Sequence, residues 1–396
     1  MNNPVDISSL GYGRAIFSPE HDAFRDGVRD FFRTYIEPNI LEWEKRECFP
    51  PEVFHEAGRR GILCAGIPET YGGMGGDFLH HVILHEEHGY SVAGASLEGG
   101  LCTDGIAYAM LLGGTEEQKK EWLPRFASGE VIAEIAMSEA HAGSDVKAIK
   151  TIARRDGDDY LISGHKMWVT NGPISNLLIV AARINDAAEE SARHSSIKLF
   201  LVDLTQVKGV TVSPPTPLMY HGAGGTSQVF FDSVRVPKTA ILGGEAGQGM
   251  RNALQVITTA RLGLSARMLA ACELALKLTI AFTQDRVAFG ERVINFQNTR
   301  FKLAHVKTEI SVGRGFLDET LRRNAQGPVD VTQASMAKLW ISELEGRVMD
   351  ECLQLFGGLG FSAEYPISKM YAFARVHKLY QGTSEILKLA ISRTLD

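Results

Sequence analysis

The chain has 396 residues, with 41 Lys and Arg against 47 Asp and Glu, for a formal charge of −6. Hydrophobic residues make up 44% and charged residues 22%, which excludes a disordered chain and supplies large cores for two or three domains. The mild acidity argues against a nucleic-acid-binding surface spread over the molecule, and no apolar run approaches the ~18 residues of a membrane span.

Residues 1–130 read as helices. Ser18-Pro19-Glu20 is a helix start: a capping hydroxyl, proline at the first helical position, an acid near the positive end. Phe24, Val28, Phe31 and Ile36 follow at helical spacing. Glu52 to Arg60 is a second helix, stopped by Gly61. Ile67 to Asp77, with Gly72, Gly73, Gly75 and Gly76, is a loop. Leu79 to Tyr90, Leu97 to Leu112 and Glu116 to Phe126 complete the region. The period changes over 131–240, where Ile197, Leu199 and Leu201, and then Val229, Phe231, Val234 and Val236, alternate with their neighbours. This is a β domain, and the alternation predicts an antiparallel one. Asp186 to His194 is a polar, exposed insert. Residues 241–396 return to helix: Asn252 to Arg286, Thr299 to Ala325 and Thr332 to Phe356, with shorter helices after Pro366 and Thr383. Long antiparallel helices with short joins predict a bundle. The fold class is therefore mainly α with a central β domain.

Glycine is in excess, 40 residues or about 10% against a usual ~7%, so parts of the backbone must bend sharply or be approached closely. The five cysteines, Cys48, Cys64, Cys102, Cys272 and Cys352, form no CxxC pair and read as reduced thiols. With a polar N-terminus lacking a signal-peptide layout, they point to a cytoplasmic protein. There is no P-loop, GxGxxG, GxSxG or HExxH. His81, His85 and His88 share a helix face with metal-ligand residue types, although a plain polar helix face is the favoured reading. Ala136 to Asp145 combines small residues with hydroxyls and permits close backbone approach to a ligand. Trp168-Val169-Thr170-Asn171-Gly172 ends a strand, and a Trp beside a Thr hydroxyl suits a flat aromatic cofactor, or a core Trp.

Taken in order, these segments resemble the acyl-CoA dehydrogenase family, which is flavin-dependent. Ile67 to Asp77 is similar to that family's IPExYGGxGxD loop, and Ala136 to Asp145 to its TExxAGSD run, with Ser138 where Thr is commoner. Lys166 to Gly172 matches KxWITNG. Arg286 to Gly290 with Gln297 matches RxxFGxxxxxxQ. Gln354 to Gly360 matches QxxGGxG, and Tyr380 to Ile386 sits where the family has YEGTxxI. The resemblance implies a helical domain, a β domain, a C-terminal bundle and bound FAD. It implies that Met137, Ser138 and Ser144 contact the flavin or the CoA part of the substrate. Trp168 and Thr170 would lie along the flavin ring, and Thr383 and Glu385 would also contact the cofactor. Arg286, Phe289, Gln297, Gln354, Leu355, Gly357 and Gly358 would hold the FAD of a neighbouring subunit, so a homotetramer is implied. A guanidinium and closely approaching backbone amides suit a pyrophosphate. Arg261, Gln381 and Gly382, with Ser144, would bind an acyl thioester of CoA or of a carrier protein. An electron-transfer flavoprotein is the acceptor that the resemblance implies.

In the family's reaction a carboxylate takes the α-proton while flavin N5 takes the β-hydride. Most members place that carboxylate at the Glu of YEGT, which here is Gln381. A minority place it before an arginine on the long helix, which here is Ala260-Arg261. A neutral amide does not accept a proton at pH 7. Three readings stay open: Gln381 stands in place of a Glu and traps the substrate complex; the chemistry needs no base there, as in the family's desulfinases or redox-silent members; or another acid serves. Asp104 and Glu98 fall in the segment that lines the acyl pocket in family members, and Asp104 would act farther along the acyl chain, as in ring dehydrogenases. Against Asp104 stands a plain role as helix cap or solvated residue. The preferred reading is α,β-dehydrogenation with Gln381 at the base position. Some relatives bind DNA, but the mixed charges from Leu321 to Asp396 speak against that. Two further departures, Tyr220 to Gly225 in place of GxRxS and Ala372-Phe373 in place of Arg-Asp, fit a larger or less polar acyl group.

Overall fold

The computed structural model describes residues 6–97, 99–101, 103–185, 197–220, 222–245, 247, 250–327 and 331–395. Six helices open the chain: α1 (Pro19–Phe31), α2 (Ile40–Lys45), α3 (Glu52–Arg59), α4 (Phe78–Tyr90), α5 (Thr103–Gly113) and α6 (Glu116–Ala127). Ser18 caps α1, its hydroxyl accepting the His21 amide, and Thr115 caps α6 through a reciprocal box with Gln118. Helix α5 starts at Thr103 instead of Leu97. Residues 94–96 form one 3-10 turn, and Gly100 then takes a φ of +53° that ends any helical continuation.

Helix α4 is not the solvated face that its His and Glu residues imply. His80, His81, Glu86, Glu87 and His88 are all buried. The helix is wedged between α1 and the long helix α7 (Met250–Asp285), and its acids meet arginines there. Arg25 Nη2 donates to Glu86 and Nη1 to Glu87, each at 2.8 Å.

The central sheet has seven strands: β1 (Ala133–Ala136), β2 (Ile152–Asp156), β3 (Asp159–Thr170), β4 (Leu177–Asn185), β5 (Ile197–Asp203), β6 (Val210–Val212) and β7 (Thr226–Pro237). Four of its pairings are antiparallel, as the alternation predicts. The pairs of β4 with β1 and with β2 run parallel. β4 is the strand with an uninterrupted apolar run, Leu177 to Ala182, buried on both faces, as parallel-paired strands are. The insert 186–196 lies outside the described residues.

After a two-stranded turn of β8 (Val287–Ala288) and β9 (Glu291–Arg292), helices α8 (Gln297–Gln326), α9 (Val331–Phe356), α10 (Pro366–His377) and α11 (Ser384–Ser392) complete the bundle with α7. Arg261 meets Ser335 at 3.1 Å, and Phe282 stacks on Phe356 at 4.2 Å. Those equal spacings on both helices mean that α7 and α9 run parallel. Close packing of α4 on α7 depends on Gly89. A Cβ there would lie 2.3 Å from the Arg267 carbonyl and 2.8 Å from Ala270 Cβ. Gly89→Ala is expected to lower stability by about 1–3 kcal/mol through overpacking, read as a lower urea midpoint; an unchanged midpoint would show that the two helices move apart freely.

Among the described residues no helix is long and apolar enough to cross a membrane. Cys48, Cys272 and Cys352 are free thiols; Cys102 lies outside the described residues.

Candidate active site

Two motifs that are distant in sequence are joined by one buried ion pair. Lys166 on β3 is fully buried, and its Nζ donates to Glu139 Oε1 at 2.8 Å and to the Met137 carbonyl at 3.0 Å. Glu139 also accepts from the Thr151 hydroxyl and amide and from the Lys150 amide, between 2.6 and 2.9 Å. Burial pushes the Glu139 carboxyl up, but the hydrogen bonds from Lys166, Thr151 and Lys150 outweigh it and hold it at about 2. The Met167 amide then donates to the Ser138 carbonyl at 2.9 Å. Met137 and Ser138 are thus fixed beside β3, with Ser144 exposed on the turn that follows. A bulge between Lys166 and Val169 puts Trp168 at a φ of +60° and leaves its side chain 52% exposed, with Thr170 half-buried beyond it. Opposite, on β7, the buried hydroxyls of Thr226 and Ser227 have no hydrogen-bond partner among the described residues.

A second group surrounds the turn between α10 and α11. Gln381 and Gly382 both take left-handed φ angles, +53° and +96°. Arg261 Nε donates to the Gln381 carbonyl at 2.9 Å, and Lys338 Nζ donates to the Gly382 carbonyl at 2.8 Å. The side-chain oxygen of Gln381 is buried without a hydrogen-bond partner among the described residues. Thr383 caps α11, its hydroxyl accepting the Ile386 amide, and Glu385 is exposed in the first turn. Burial lowers the pKa of Arg261, and burial and then Arg261 push Lys338 down to about 8. Lys338 is absent from the sequence reading. Its signal is a lysine placed among Ala334, Ala337, Ile341 and Leu344, the buried stripe of α9.

The strand that carries Trp168 and Thr170 and the helix that carries Arg261 both reach the loop at 94–99. A Cβ on Gly99 would lie 2.2 Å from Thr170 Cγ2. Arg267, on α7 beyond Arg261, donates to the carbonyls of Gly94 and Leu97 at 2.9 and 3.1 Å. The two sequence departures also meet here: the rings of Tyr220 and Phe373 are 5.2 Å apart, and the Arg267 guanidinium lies 4.8 Å over Phe373.

Arg286, Phe289, Gln297, Gln354, Leu355, Gly357 and Gly358 lie elsewhere. They gather where α7 and α9 end, about 36 Å along α7 from Arg261 at 1.5 Å per residue. Phe289 is fully exposed, and a Cβ at Gly357 or Gly358 would meet nothing. These residues do not join the Gln381 turn of the same chain.

Glu98 and His221 lie outside the described residues. Asp104 falls in the first turn of α5, and its side chain is likewise outside them. Of the expected His81, His85 and His88 face, His81 and His88 are buried and His85 is part-buried; burial holds His85 and His88 well below the usual imidazole range. The His and Asp side chains that do converge are His21, Asp77 and His80, with Asp77 Oδ1 at 2.9 Å from His21 and 3.1 Å from His80. They cap α1 and α4, and two positive helix ends are a poor place for a cation.

Family models for the acyl-CoA dehydrogenase N-terminal, middle and C-terminal domains match residues 18–130, 134–234 and 247–395. The chain belongs to the acyl-CoA dehydrogenase family. It is 40% identical to the long-chain specific acyl-CoA dehydrogenase of Mus musculus, over 96% of this chain and 88% of the relative. Among solved structures, an acyl-CoA dehydrogenase from Geobacillus kaustophilus aligns with a TM-score of 0.91 and 36% identity, covering 96% and 99% of the two chains. A glutaryl-CoA dehydrogenase from Mycobacterium smegmatis, in complex with FADH2, aligns with a TM-score of 0.86 and 30% identity, covering 96% and 95%. As a family member the chain is an FAD-dependent flavoenzyme of the acyl-CoA dehydrogenase type, in a family of oxidoreductases that act on acyl-CoA in fatty acid metabolism. Its residues fit the flavin: Trp168 is half-exposed, and the Thr226 and Ser227 hydroxyls, without a hydrogen-bond partner among the described residues, lie on the strand paired with β3.

Proposed function

We propose that this acyl-CoA dehydrogenase holds a long-chain acyl thioester of CoA with Gln381 against the α-carbon. The observation that carries this is the Gln381 side-chain oxygen, buried and unpartnered on a turn fixed at two consecutive carbonyls. The length preference draws on the likeness to the long-chain specific mouse enzyme and on the apolar Tyr220–Phe373 contact.

Bound FAD supplies the acceptor for the β-hydride. The chain's own residues do the rest. Trp168 and Thr170 lie along the flavin ring, and the Glu139–Lys166 pair holds Met137 and Ser138 in register with them. Ser144 meets the CoA part. Arg261 and Lys338 hold the two carbonyls of the turn, and the Gln381 side chain orients the substrate and takes no proton at neutral pH. Arg286, Phe289, Gln297 and the stretch from Gln354 to Gly358 hold the FAD of a neighbouring subunit in a homotetramer, since they lie too far from their own Gln381 turn to share its cofactor. The reading places the chain in the cytoplasm, divides it at residues 130 and 240, and passes electrons to an electron-transfer flavoprotein.

The test is a purified protein titrated with acyl-CoAs of rising chain length. We expect a yellow, FAD-bearing tetramer whose affinity rises by at least tenfold from short to long chains, as each buried CH₂ contributes about 0.8 kcal/mol. A protein that refuses FAD, or equal binding at all lengths, overturns the reading.

A further inference from the structure

Two buried cations meet one turn without a carboxylate between them. Arg261 comes from α7 and Lys338 from α9, and they donate to the consecutive carbonyls of Gln381 and Gly382. Their side chains donate to backbone carbonyls and, for Arg261, to the Ser335 hydroxyl. The charged groups that bear on Lys338 are Arg261 from α7 and Glu343 and Glu345 from α9 itself. Glu343 is turned to Lys378 at the end of α10, at 3.0 Å, and accepts from Ser384 on α11; Glu345 is paired with His377 of α10 at 2.6 Å. Both neighbouring acids are thus engaged elsewhere, and Lys338 spends its hydrogen bond on a backbone carbonyl. Burying an ammonium is costly unless something needs it. An apolar side chain would pack this stripe of α9 more cheaply.

We propose that Lys338 is a positioning residue for the reaction: it fixes the Gly382 carbonyl, sets the direction of the residue 381 side chain toward the substrate, and keeps a positive charge beside whatever acid–base group stands at 381. The proposal rests on the acyl-CoA reading of the site. It makes two separable claims, one mechanical and one electrostatic. The carbonyl contact holds two residues in left-handed conformations, which Gln381 as a non-glycine residue adopts only under restraint. The charge lowers the pKa of a carboxylate placed at 381, as an opposite charge nearby does by about 1–3 units. Lys338 loses its own charge as pH rises through about 8, so the electrostatic effect is present below that pH and fades above it.

The experiment compares Lys338→Met and Lys338→Arg in a Gln381→Glu background, reading the pH profile of flavin bleaching by acyl-CoA, together with amide exchange of residues 380–384 in the chain with Gln381 retained. We expect Lys338→Met to move the lower limb of the profile up by about one pH unit and to speed exchange of the segment at least tenfold, and Lys338→Arg to restore the limb. A purely structural lysine would slow the reaction without moving the limb. An unmoved limb overturns the electrostatic claim, and unchanged exchange overturns the mechanical one. If no acyl-CoA bleaches the Gln381→Glu protein, the acyl-CoA reading fails, and the exchange result alone decides the role of Lys338. Should Lys338→Met not yield folded protein, Lys338→Gln, which removes the charge, decides the electrostatic claim, and Lys338→Leu, which removes the donor, decides the mechanical one.

Discussion

Gln381→Glu is expected to raise the rate of flavin bleaching by a long-chain acyl-CoA by about 10²–10⁴-fold, the usual worth of a positioned general base. The exchange is nearly isosteric, and both residues carry the same backbone cost at a φ of +53°, so the turn is expected to stay as it is. What changes is one atom: an amide nitrogen becomes a second carboxylate oxygen able to hold a proton. Burial of that position raises the new carboxyl's pKa, and Arg261 and Lys338 lower it, which keeps a base available at neutral pH. Binding of the acyl-CoA is expected to change little, because the clamp on the Gln381 and Gly382 carbonyls does not involve the side chain. Stopped-flow absorbance in the flavin band, with both proteins against the same acyl-CoA, measures it. Equal bleaching by both would mean that another acid takes the proton, and Asp104→Asn would then abolish it. No bleaching by either would remove dehydrogenation at this site from consideration.

The helices were legible where local chemistry decides. Ser18 with Pro19, Thr115 with Gln118 and the apolar spacing of α7 to α9 each fix an element by contacts within a few residues. Residues 97–102 misled, because apolar spacing continues through a segment where Gly99 must lie against Thr170 and Gly100 must turn left-handed. That constraint comes from another domain and leaves no trace in periodicity. The charged face of α4 misled for a similar reason: its glutamates are buried because arginines from α1, α8 and the N-terminal segment reach them, and partners at that separation have no sequence signature. At the site, the family motifs place Trp168 and Gln381, but motif spacing alone does not show that Lys166 reaches back to Met137 and Glu139. Nor does it show that Lys338 supports residue 382. Both are buried lysines, and a lysine on an apolar stripe is the one clue the sequence offers.

Glu86→Gln is expected to destabilise the protein by about 3–5 kcal/mol, the cost of removing one partner from a buried charge network. Glu86 is fully buried and pairs with three arginines: Arg14, Arg25 at 2.8 Å and Arg314 at 2.8 Å. Burial drives its carboxyl pKa up, but Arg14, Arg314 and Arg25 outweigh that and hold it at about 2. A carboxylate depressed in this way contributes stability above its unfolded pKa of about 4.3, and the contribution is lost as pH falls toward 2. With Gln at 86, the three guanidinium groups remain near one another, sharing Glu87, Glu273 and Asp318, and they repel. The informative control is Glu319→Gln. Glu319 is also held at about 2, by Arg322 and Arg323, but this trio is exposed on α8, where water and salt screen it. The same pKa therefore carries different weight at the two positions. Urea unfolding at pH 7 is expected to show a large drop in midpoint for Glu86→Gln and little change for Glu319→Gln. Raising the salt concentration should erase the small effect and leave the large one. Equal shifts for the two variants would mean that the α1–α4–α7–α8 junction is held by its apolar contacts, with the ions contributing no net stability.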